Sequence, residues 1–320
     1  MGSESNSQNV KRLYTSNMGD QILADAARVA EYLRQQGVST CPAAGWWWRE
    51  YQRMAVPVGP VSWDFTVPPE TARQLLRELP RCLLVRATAG LQEAITSWYA
   101  VVVERFVDLA DCEAKVRSEI RRGLKHCQVR LISGRDQATQ IARVEHAAFT
   151  RYKDRSRPDR AEVICERMRL AAEYADVIHL WGVFHGEALI AYAENYAFGK
   201  TEVFYSTIRL DPQQLALYPM YALVHEMNRH YLAQQGVARV IDGFRSILHP
   251  TSVQEFLVRK FGFRHAGVAL QLHYRPWVGL LVKALVGLGA PYPFLPGAVN
   301  AVATQERLCR SARVEHGRAR

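Results

Sequence analysis

Two side chains that could act as a general base lie close together in the later part of the chain. Asp242 lies near the end of a predicted strand, and His249 follows in the segment DGFRSILHP. A carboxylate, or an imidazole with its ordinary pKa of about 6.5, can accept a proton from an amine near neutral pH. Arg245 and Ser246 lie between them and could bind a phosphate or a carboxylate. The alternatives are that His249 only leads into the next helix and that Arg245 pairs with Asp242 or Glu255.

A basic helix provides a second cluster. The periodicity of residues 111–127 (DCEAKVRSEIRRGLKHC) predicts a helix with four cations on one side, since side chains four residues apart are neighbours. Glu119 is the acidic residue that we expect beside this stripe, which favours phosphate binding over a solvated helix face. Gly123 costs about 1 kcal/mol in a helix interior and marks either the helix end or a close approach. The stripe consists of Arg117, Arg121, Arg122 and Lys125.

Length and composition are those of a globular chain. Of 320 residues, 48% are hydrophobic and 22% are charged, which excludes a wholly disordered or fibrous protein. Lys and Arg exceed Asp and Glu by 41 − 31 = 10, which suits phosphate-bearing partners without choosing among nucleotides, coenzyme A, RNA and anionic lipid. Six cysteines without a CxxC pair predict neither a zinc site nor a disulfide framework. The polar N-terminus has no apolar signal segment, so we expect a cytoplasmic protein. No bound metal is expected either.

Hydrophobic periodicity predicts helices and strands in alternation. We expect helices over 20–36, 69–78, 111–127, 136–152, 161–174, 218–235 and 252–261. We expect strands over 83–88, 97–107, 128–133, 177–184, 188–198, 202–208, 238–243 and 265–274. Short turns between 177 and 208 predict an antiparallel meander. In the stretch 41–60, Trp46, Trp47 and Trp48 either line a groove or pack in the core.

An apolar segment runs from Trp277 to Leu288 (WVGLLVKALVGL). It is too short to span a bilayer, which needs about 20 apolar residues. The segment could lie flat on a membrane or dock on a neighbouring element. Because Lys283 is its one basic residue, we favour docking and keep peripheral membrane contact through 277–288 as the alternative.

The order of elements over residues 177–274 resembles that of the GNAT N-acetyltransferase superfamily. Three strands are followed by a long helix, a strand, a short helix and a strand, and FLVRKFGFRHAGVALQLHY is similar to the last helix and strand of that superfamily. There a glycine, here Gly262, permits the sharp turn between them. GNAT enzymes that use acetyl-CoA bind its pyrophosphate through a glycine-containing loop at a helix N-terminus. The corresponding stretch IRLDPQQLALYPMYALV has no glycine, which argues against ordinary acetyl-CoA binding.

The same loss is a feature of the Fem-type aminoacyltransferases that build peptidoglycan bridges. These GNAT relatives have two such domains in tandem and use aminoacyl-tRNA. The stretch VERFVDLADCEAKVRSEIRRGLKHCQVRLIS is similar to their domain junction, and DGFRSILH is similar to their site at the end of a strand. The resemblance covers residues 98–274 and, less closely, 20–97.

The resemblance implies an α+β fold with a mixed, mostly antiparallel sheet flanked by helices. It implies two tandem GNAT-like domains, the first of them degenerate or truncated. We expect a disordered leader over 1–19, the N-terminal domain over 20–110 and the catalytic domain over 111–275. A hydrophobic helix and a basic tail are expected over 276–320.

The resemblance also implies a site where the strands 202–208 and 238–243 diverge and admit an acyl group. The residues that it places there for catalysis are Asp242, His249, Tyr205 and Ser206. Those expected to bind substrate or phosphate are Arg117, Arg121, Arg122, Lys125, Arg245, Ser246, Tyr218 and Tyr221.

The resemblance therefore implies an acyl- or aminoacyltransferase. An activated acyl group from acyl-CoA or aminoacyl-tRNA would be joined to an amine of a small molecule or peptide by direct nucleophilic attack. No permanently bound cofactor and no DNA partner are expected, whereas tRNA is a candidate partner. The alternative is a non-catalytic protein that binds RNA or another polyanion on a GNAT-like scaffold.

Overall fold

The computed structural model describes residues 17–62, 66–92, 98–150, 157–245, 252–287 and 297–318. The chain divides into two compact units. The first lies within Met1–Val101, Phe244–Glu255 and His265–Arg320, and the second within Val102–Gly243 and Phe256–Arg264. The chain thus leaves the first unit and returns to it twice. The predicted domain limits, 20–110 and 111–275, stay predictions.

The described residues form these elements. The strands are β1 (Thr40–Ala43), β2 (Trp46–Tyr51), β3 (Met54–Pro57), β4 (Leu84–Gln92), β5 (Tyr99–Val103), β6 (Gln128–Leu131), β7 (Ile178–His185), β8 (Ala188–Phe198), β9 (Glu202–Leu210), β10 (Val240–Phe244) and β11 (Arg264–Tyr274). The helices are α1 (Asn17–Gln35), α2 (Pro69–Glu78), α3 (Ala114–His126), α4 (Gly134–Phe149), α5 (Ala161–Glu173), α6 (Pro219–Asn228), α7 (Ser252–Phe261), α8 (Pro276–Gly287) and α9 (Gly297–Arg318). A 3₁₀ turn (Pro212–Leu217) precedes α6 and a π turn (Arg229–Gln234) follows it.

Strand pairing is mostly antiparallel in both units. The order in the first unit is β1-β2-β3-β4-β11, and in the second it is β10-β9-β8-β7-β6. Two of these pairs are parallel, β3 with β4 and β9 with β10. The α+β class and the mixed, mostly antiparallel sheet with helices are therefore confirmed.

The first unit contains a three-stranded meander that the sequence did not predict. Ala44 and Gly45 have φ of 51° and 75°, a left-handed turn that joins β1 to β2. Trp46 and Trp48 are buried on one face of β2, whereas Trp47 is half-buried on the other. Side chains of successive strand residues point to opposite faces, which explains why two of the three tryptophans pack in the core and the third does not.

The second unit is built around β8, whose residues after the first are all buried. The strand is covered because α4 and α6 both pack against it. The meander β7-β8-β9 predicted from the short turns is confirmed. The helix predicted over 218–235 is shorter, since regular α-helix ends at Asn228 and the chain continues as the π turn.

The apolar helix α8 has one packed face and one open face. Val278 and Val282 are buried, as the docking hypothesis predicts, but Trp277, Leu280 and Leu281 are 56%, 70% and 55% exposed. In the described part of the chain, no helix combines the length and the apolarity that crossing a membrane requires.

Candidate functional site

The ladder between β9 and β10 in the second unit is short, and we call the unpaired stretch beyond it the gap. The two parallel strands are in register at Val203 with Val240 and at Phe204 with Ile241. In the described residues their pairing ends there, although β9 continues to Leu210 and β10 to Phe244. The pairing therefore ends at the point where the resemblance predicts a site.

A β-bulge lies directly after the point where the pairing ends. On β8, Asn195 is opposite Tyr205 and Glu194 is opposite Thr207, so Ser206 is the extra residue of β9. The Ser206 side chain is half-buried. A bulge bends its strand and takes the extra residue out of the ladder, which is why bulges are common beside active sites.

Asp242 lies on the other side of the gap, immediately after the last paired residue of β10. Its side chain is half-buried, and its charge helps to raise the pKa of Tyr205. Asp242 and Tyr205 are thus close in space. Gly243 follows with φ of 97°, a conformation that favours glycine.

Tyr205 directly precedes the bulge residue Ser206 and is not exposed to solvent. Its side chain is buried, and its hydroxyl donates to Oδ1 of Asn228 at 2.8 Å. Burial, then the charges of Tyr231 and Asp242, raise its pKa well above the ordinary value. The hydroxyl therefore stays protonated and can donate a hydrogen bond. Its predicted catalytic role stays a prediction.

A buried polar cluster adjoins Tyr205. The Tyr231 hydroxyl oxygen accepts from Trp181 Nε1 at 2.8 Å and from Asn195 Nδ2 at 3.2 Å. Nδ1 of His179 lies 3.1 Å from the same oxygen. Burial is the main cause that lowers the pKa of His179, and the charge of His230 adds to it. These contacts fix the π turn against β7 and β8.

A cavity of about 350 Å³ lies at the start of α6. Tyr218 has a left-handed φ of 57° there and is followed by Pro219. Arg122 from α3 donates from Nη1 to the Tyr218 hydroxyl at 3.1 Å, with its guanidinium 4.6 Å from the ring centre. A Cβ on Gly123 would be 2.7 Å from the carbonyl oxygen of Tyr218. Of the two interpretations of Gly123, the close approach is thus the one observed.

The start of α6 has few backbone donors for a pyrophosphate. Pro219 has no N–H, and the N–H groups of Tyr221 and Ala222 donate to the carbonyl oxygen of Tyr218 at 3.1 and 3.3 Å. The observed hydrogen bonds and the absence of glycine from this stretch both argue against a pyrophosphate-binding loop at the start of α6.

The basic stripe on α3 is largely exposed. Arg121, Arg122 and Lys125 are exposed, and Arg117 is half-buried. The prediction that Glu119 accompanies the stripe is wrong. Glu119 instead lies 3.3 Å from Lys260 Nζ.

Glu119 also accepts a hydrogen bond from Tyr221. Together with burial, the largest cause, this carboxylate raises the pKa of Tyr221 to about 12. Tyr221 further contacts Phe256, with ring centres 4.9 Å apart. Its hydroxyl is therefore directed towards Glu119, and its predicted role in substrate binding stays a prediction.

The remaining predicted residues lie elsewhere. Arg245 belongs to the first unit, where it is exposed, its N–H donates to the Tyr99 carbonyl at 2.9 Å and its guanidinium is 5.8 Å from the Tyr99 ring centre. Ser246 and His249 lie outside the described residues. The structure therefore brings together Tyr205, Ser206 and Asp242, and separately Arg122, Tyr218 and Tyr221.

No metal centre is found in the ranges that the structure describes, since no group of His, Cys, Asp or Glu there could hold an ion. The six cysteines are free, and all are buried or half-buried.

Comparison with known proteins supports the architecture. No family model and no curated protein matches the sequence. FemX is similar in structure, with 10% identity and a TM-score of 0.53 over 82% of this chain and 98% of that chain. The chain has a GNAT-like fold of the Fem type. The C-terminal domain (DUF2156) of a protein from Agrobacterium fabrum, described as a lysylphosphatidylglycerol synthetase, is also similar, with 14% identity and a TM-score of 0.51 over 87% of this chain and 95% of that chain. Because neither unit alone contains so large a share of the chain, the likeness to the Fem-type fold includes residues of both units.

Sequence reasoning missed the polar groups that support the gap in this Fem-type fold. Asn195 lies in the otherwise apolar strand ALIAYAENYAF and is fully buried. Because a buried amide needs hydrogen-bond partners, an asparagine in such a strand indicates a polar cluster in the core. That signal could have identified Asn195, whereas Asn228 and Tyr231 lie in a helical pattern without a comparable mark.

Proposed function

We propose that this protein is an acyltransferase that joins an activated acyl group to an amine. The observation that supports this most directly is the gap between β9 and β10, with Asp242 on one strand and the bulge at Ser206 on the other. A gap of this kind lets a carbonyl group enter between two strands and places the ends of both strands around it. The fold shared with FemX adds support.

The chain supplies groups for each part of the reaction. The amine nitrogen attacks the carbonyl carbon of the donor, and the carboxylate of Asp242 takes the proton that the nitrogen loses. The N–H and hydroxyl of Ser206 are candidates to stabilise the oxyanion, because the bulge takes this residue out of the ladder. The bond from the carbonyl carbon to the donor oxygen or sulfur then breaks, and that atom leaves with a proton. His249 remains a second candidate for the base.

The donor that we favour is aminoacyl-tRNA. The start of α6 has few free backbone N–H groups for a coenzyme pyrophosphate, whereas Arg121, Arg122 and Lys125 present exposed cations to a longer polyanion. The name of the Agrobacterium protein combines a lysyl group with phosphatidylglycerol, so an amino acid is a plausible acyl group here too. Acyl-CoA is the other outcome of the test.

The test is a transfer assay with both donors. Purified protein is incubated with an amine panel and either aminoacyl-tRNA, measuring loss of the ester-linked amino acid, or acetyl-CoA, measuring release of the thiol. We expect amine-dependent turnover that falls about 100-fold or more in Asp242→Asn, because a general base contributes about 10²–10⁴-fold. Asp136→Asn removes the same charge from an exposed position in α4 and is the matched control. Equal turnover of the two variants would refute the assignment of Asp242.

The exposed cations of α3 favour one alternative, a protein that only binds a polyanion. That alternative predicts no transfer from either donor, and retention of RNA that is lost when Arg121 and Arg122 are changed to Glu. An enzyme predicts instead that Asp242→Asn binds tRNA as well as the unchanged protein does while transfer is lost.

A further inference from the structure

The open face of α8 is the most exposed apolar surface in the described part of the chain. Trp277, Leu280 and Leu281 have the three largest exposures among the large hydrophobic side chains described. Their spacing of three and four residues places them on one face of the helix. Val278 and Val282, on the other face, are buried. The helix has no acidic residue, and Lys283 is exposed on it.

A basic cavity of about 690 Å³ adjoins the start of α8 in the same unit. Arg73, Arg77 and Arg275 line it, together with the acidic Glu70. Arg73 and Arg77 are exposed and one turn apart on α2. Arg275 is fixed in place, because its Nε donates to the carbonyl of Cys82 at 2.8 Å. Three cations and one carboxylate therefore line a cavity that reaches Pro276, the first residue of α8.

We propose that the open face of α8 and this basic cavity form a docking surface for a bilayer that contains anionic phospholipid. The apolar side chains enter the boundary between headgroups and acyl chains, where tryptophan is favoured. The guanidinium groups of Arg73 and Arg77 bind lipid phosphates, which suit their planar set of donors.

The sequence argues against membrane binding by this helix because it has few basic residues, and the structure supplies basic residues from neighbouring elements. The segment 277–288 has one lysine, and helices that lie on membranes usually have more basic residues. Here the cations come from α2 and from Arg275 instead of from α8 itself. The apolar set is small, with three side chains, so binding is peripheral and reversible.

A second copy of the chain is a poorer occupant of this surface. In a two-fold symmetric contact the same patch appears on both partners. That contact would bring two sets of arginines together, and like charges in an interface oppose association. An anionic bilayer offers both an apolar interior and negative charge.

The test is sedimentation of the full-length protein with vesicles. One set contains phosphatidylcholine with phosphatidylglycerol, and the other contains phosphatidylcholine alone. We expect binding to the anionic vesicles that weakens with salt. The triple variant Trp277→Ser, Leu280→Ser, Leu281→Ser should lower the partition coefficient at least tenfold. The pair Arg73→Gln, Arg77→Gln should remove the preference for anionic vesicles.

Matched controls separate the surface from general effects. Leu131→Ser with Val163→Ser removes exposed apolar side chains elsewhere, and Arg157→Gln with Arg160→Gln removes the same charge. Both should bind as the unchanged protein does, and circular dichroism checks that every variant folds. Asp242→Asn should also bind vesicles normally, because docking does not depend on the proposed transfer activity.

Three results would overturn the proposal. The first is the absence of binding to anionic vesicles by the unchanged protein. The second is an equal loss in a test variant and its control. The third is a dimer in light scattering that the triple variant dissociates without any vesicle binding, which would assign the open face of α8 to a second copy.

Discussion

The contact between α3 and α6 at Gly123 allows a sharp test of the packing behind the candidate site. A Cβ at this position would be 2.7 Å from the Tyr218 carbonyl oxygen and 3.1 Å from the Ala222 nitrogen, both of them backbone atoms. Because backbone atoms cannot rotate away, Gly123→Ala must separate the two helices. Overpacking of this kind costs about 1–3 kcal/mol, and alanine returns about 1 kcal/mol in helix propensity. Because the close atoms belong to the backbone, we take the upper end of the overpacking cost and expect a net destabilisation of about 2 kcal/mol.

Hydrogen exchange of the amides at Val116 and Ile120 measures this effect locally in α3. The control is Gly279→Ala in α8, where a Cβ would be at an ordinary 3.5 Å from the Cβ of Tyr274. That variant should be stabilised by up to about 1 kcal/mol through helix propensity alone. Protection of the α3 amides in Gly123→Ala that equals or exceeds that of the unchanged protein would show that the helices are not in close contact.

Three further predictions concern single contacts. Tyr205→Phe should lower the free energy of unfolding by about 1–3 kcal/mol in urea denaturation, because Oδ1 of Asn228 loses its donor in the core; an unchanged midpoint would contradict this. Burial holds the pKa of His179 below 6.5, so the unfolded chain binds the proton more readily and stability should fall as the pH drops through about 6.5. His179→Gln should flatten part of that slope in thermal midpoints, and an identical slope would assign the pH dependence to other groups. Glu119→Gln should cost about 1–3 kcal/mol through the lost ion pair with Lys260, and a double-mutant cycle with Lys260→Met should show coupling.

Regular elements with a strong pattern could be predicted from the sequence. The helices Pro69–Glu78 and Ser252–Phe261 have the predicted limits, and so does the strand Ala188–Phe198. In each of them a periodic apolar pattern ends at a residue that breaks it. The meander β1-β2-β3 was missed because its strands have four to six residues, too few for a periodicity to show.

The site could be predicted only in part, because its geometry depends on pairing between distant segments. The resemblance to the GNAT superfamily implied that β9 and β10 would be neighbours, and the apolar pattern predicted a strand over 238–243 that contains Asp242 near its end. It could not show that Ser206 is the extra residue of a bulge, since a bulge is defined by the partner strand β8. Nor could it show that Glu119 pairs with Lys260, which lies far along the chain on α7.

The contacts of Tyr231 determine the tautomer of a neighbouring imidazole. The indole nitrogen of Trp181 and the amide nitrogen of Asn195 can only donate, so they occupy the lone pairs of the hydroxyl oxygen. The O–H bond is then left to point at Nδ1 of His179, which must accept and therefore bears no hydrogen. The ring consequently keeps its single hydrogen on Nε2. In acid a second hydrogen would bind Nδ1 of His179, and the Tyr231 hydroxyl would then have no acceptor for its own hydrogen. The loss of this hydrogen bond disfavours the imidazolium, in addition to the desolvation of the ring.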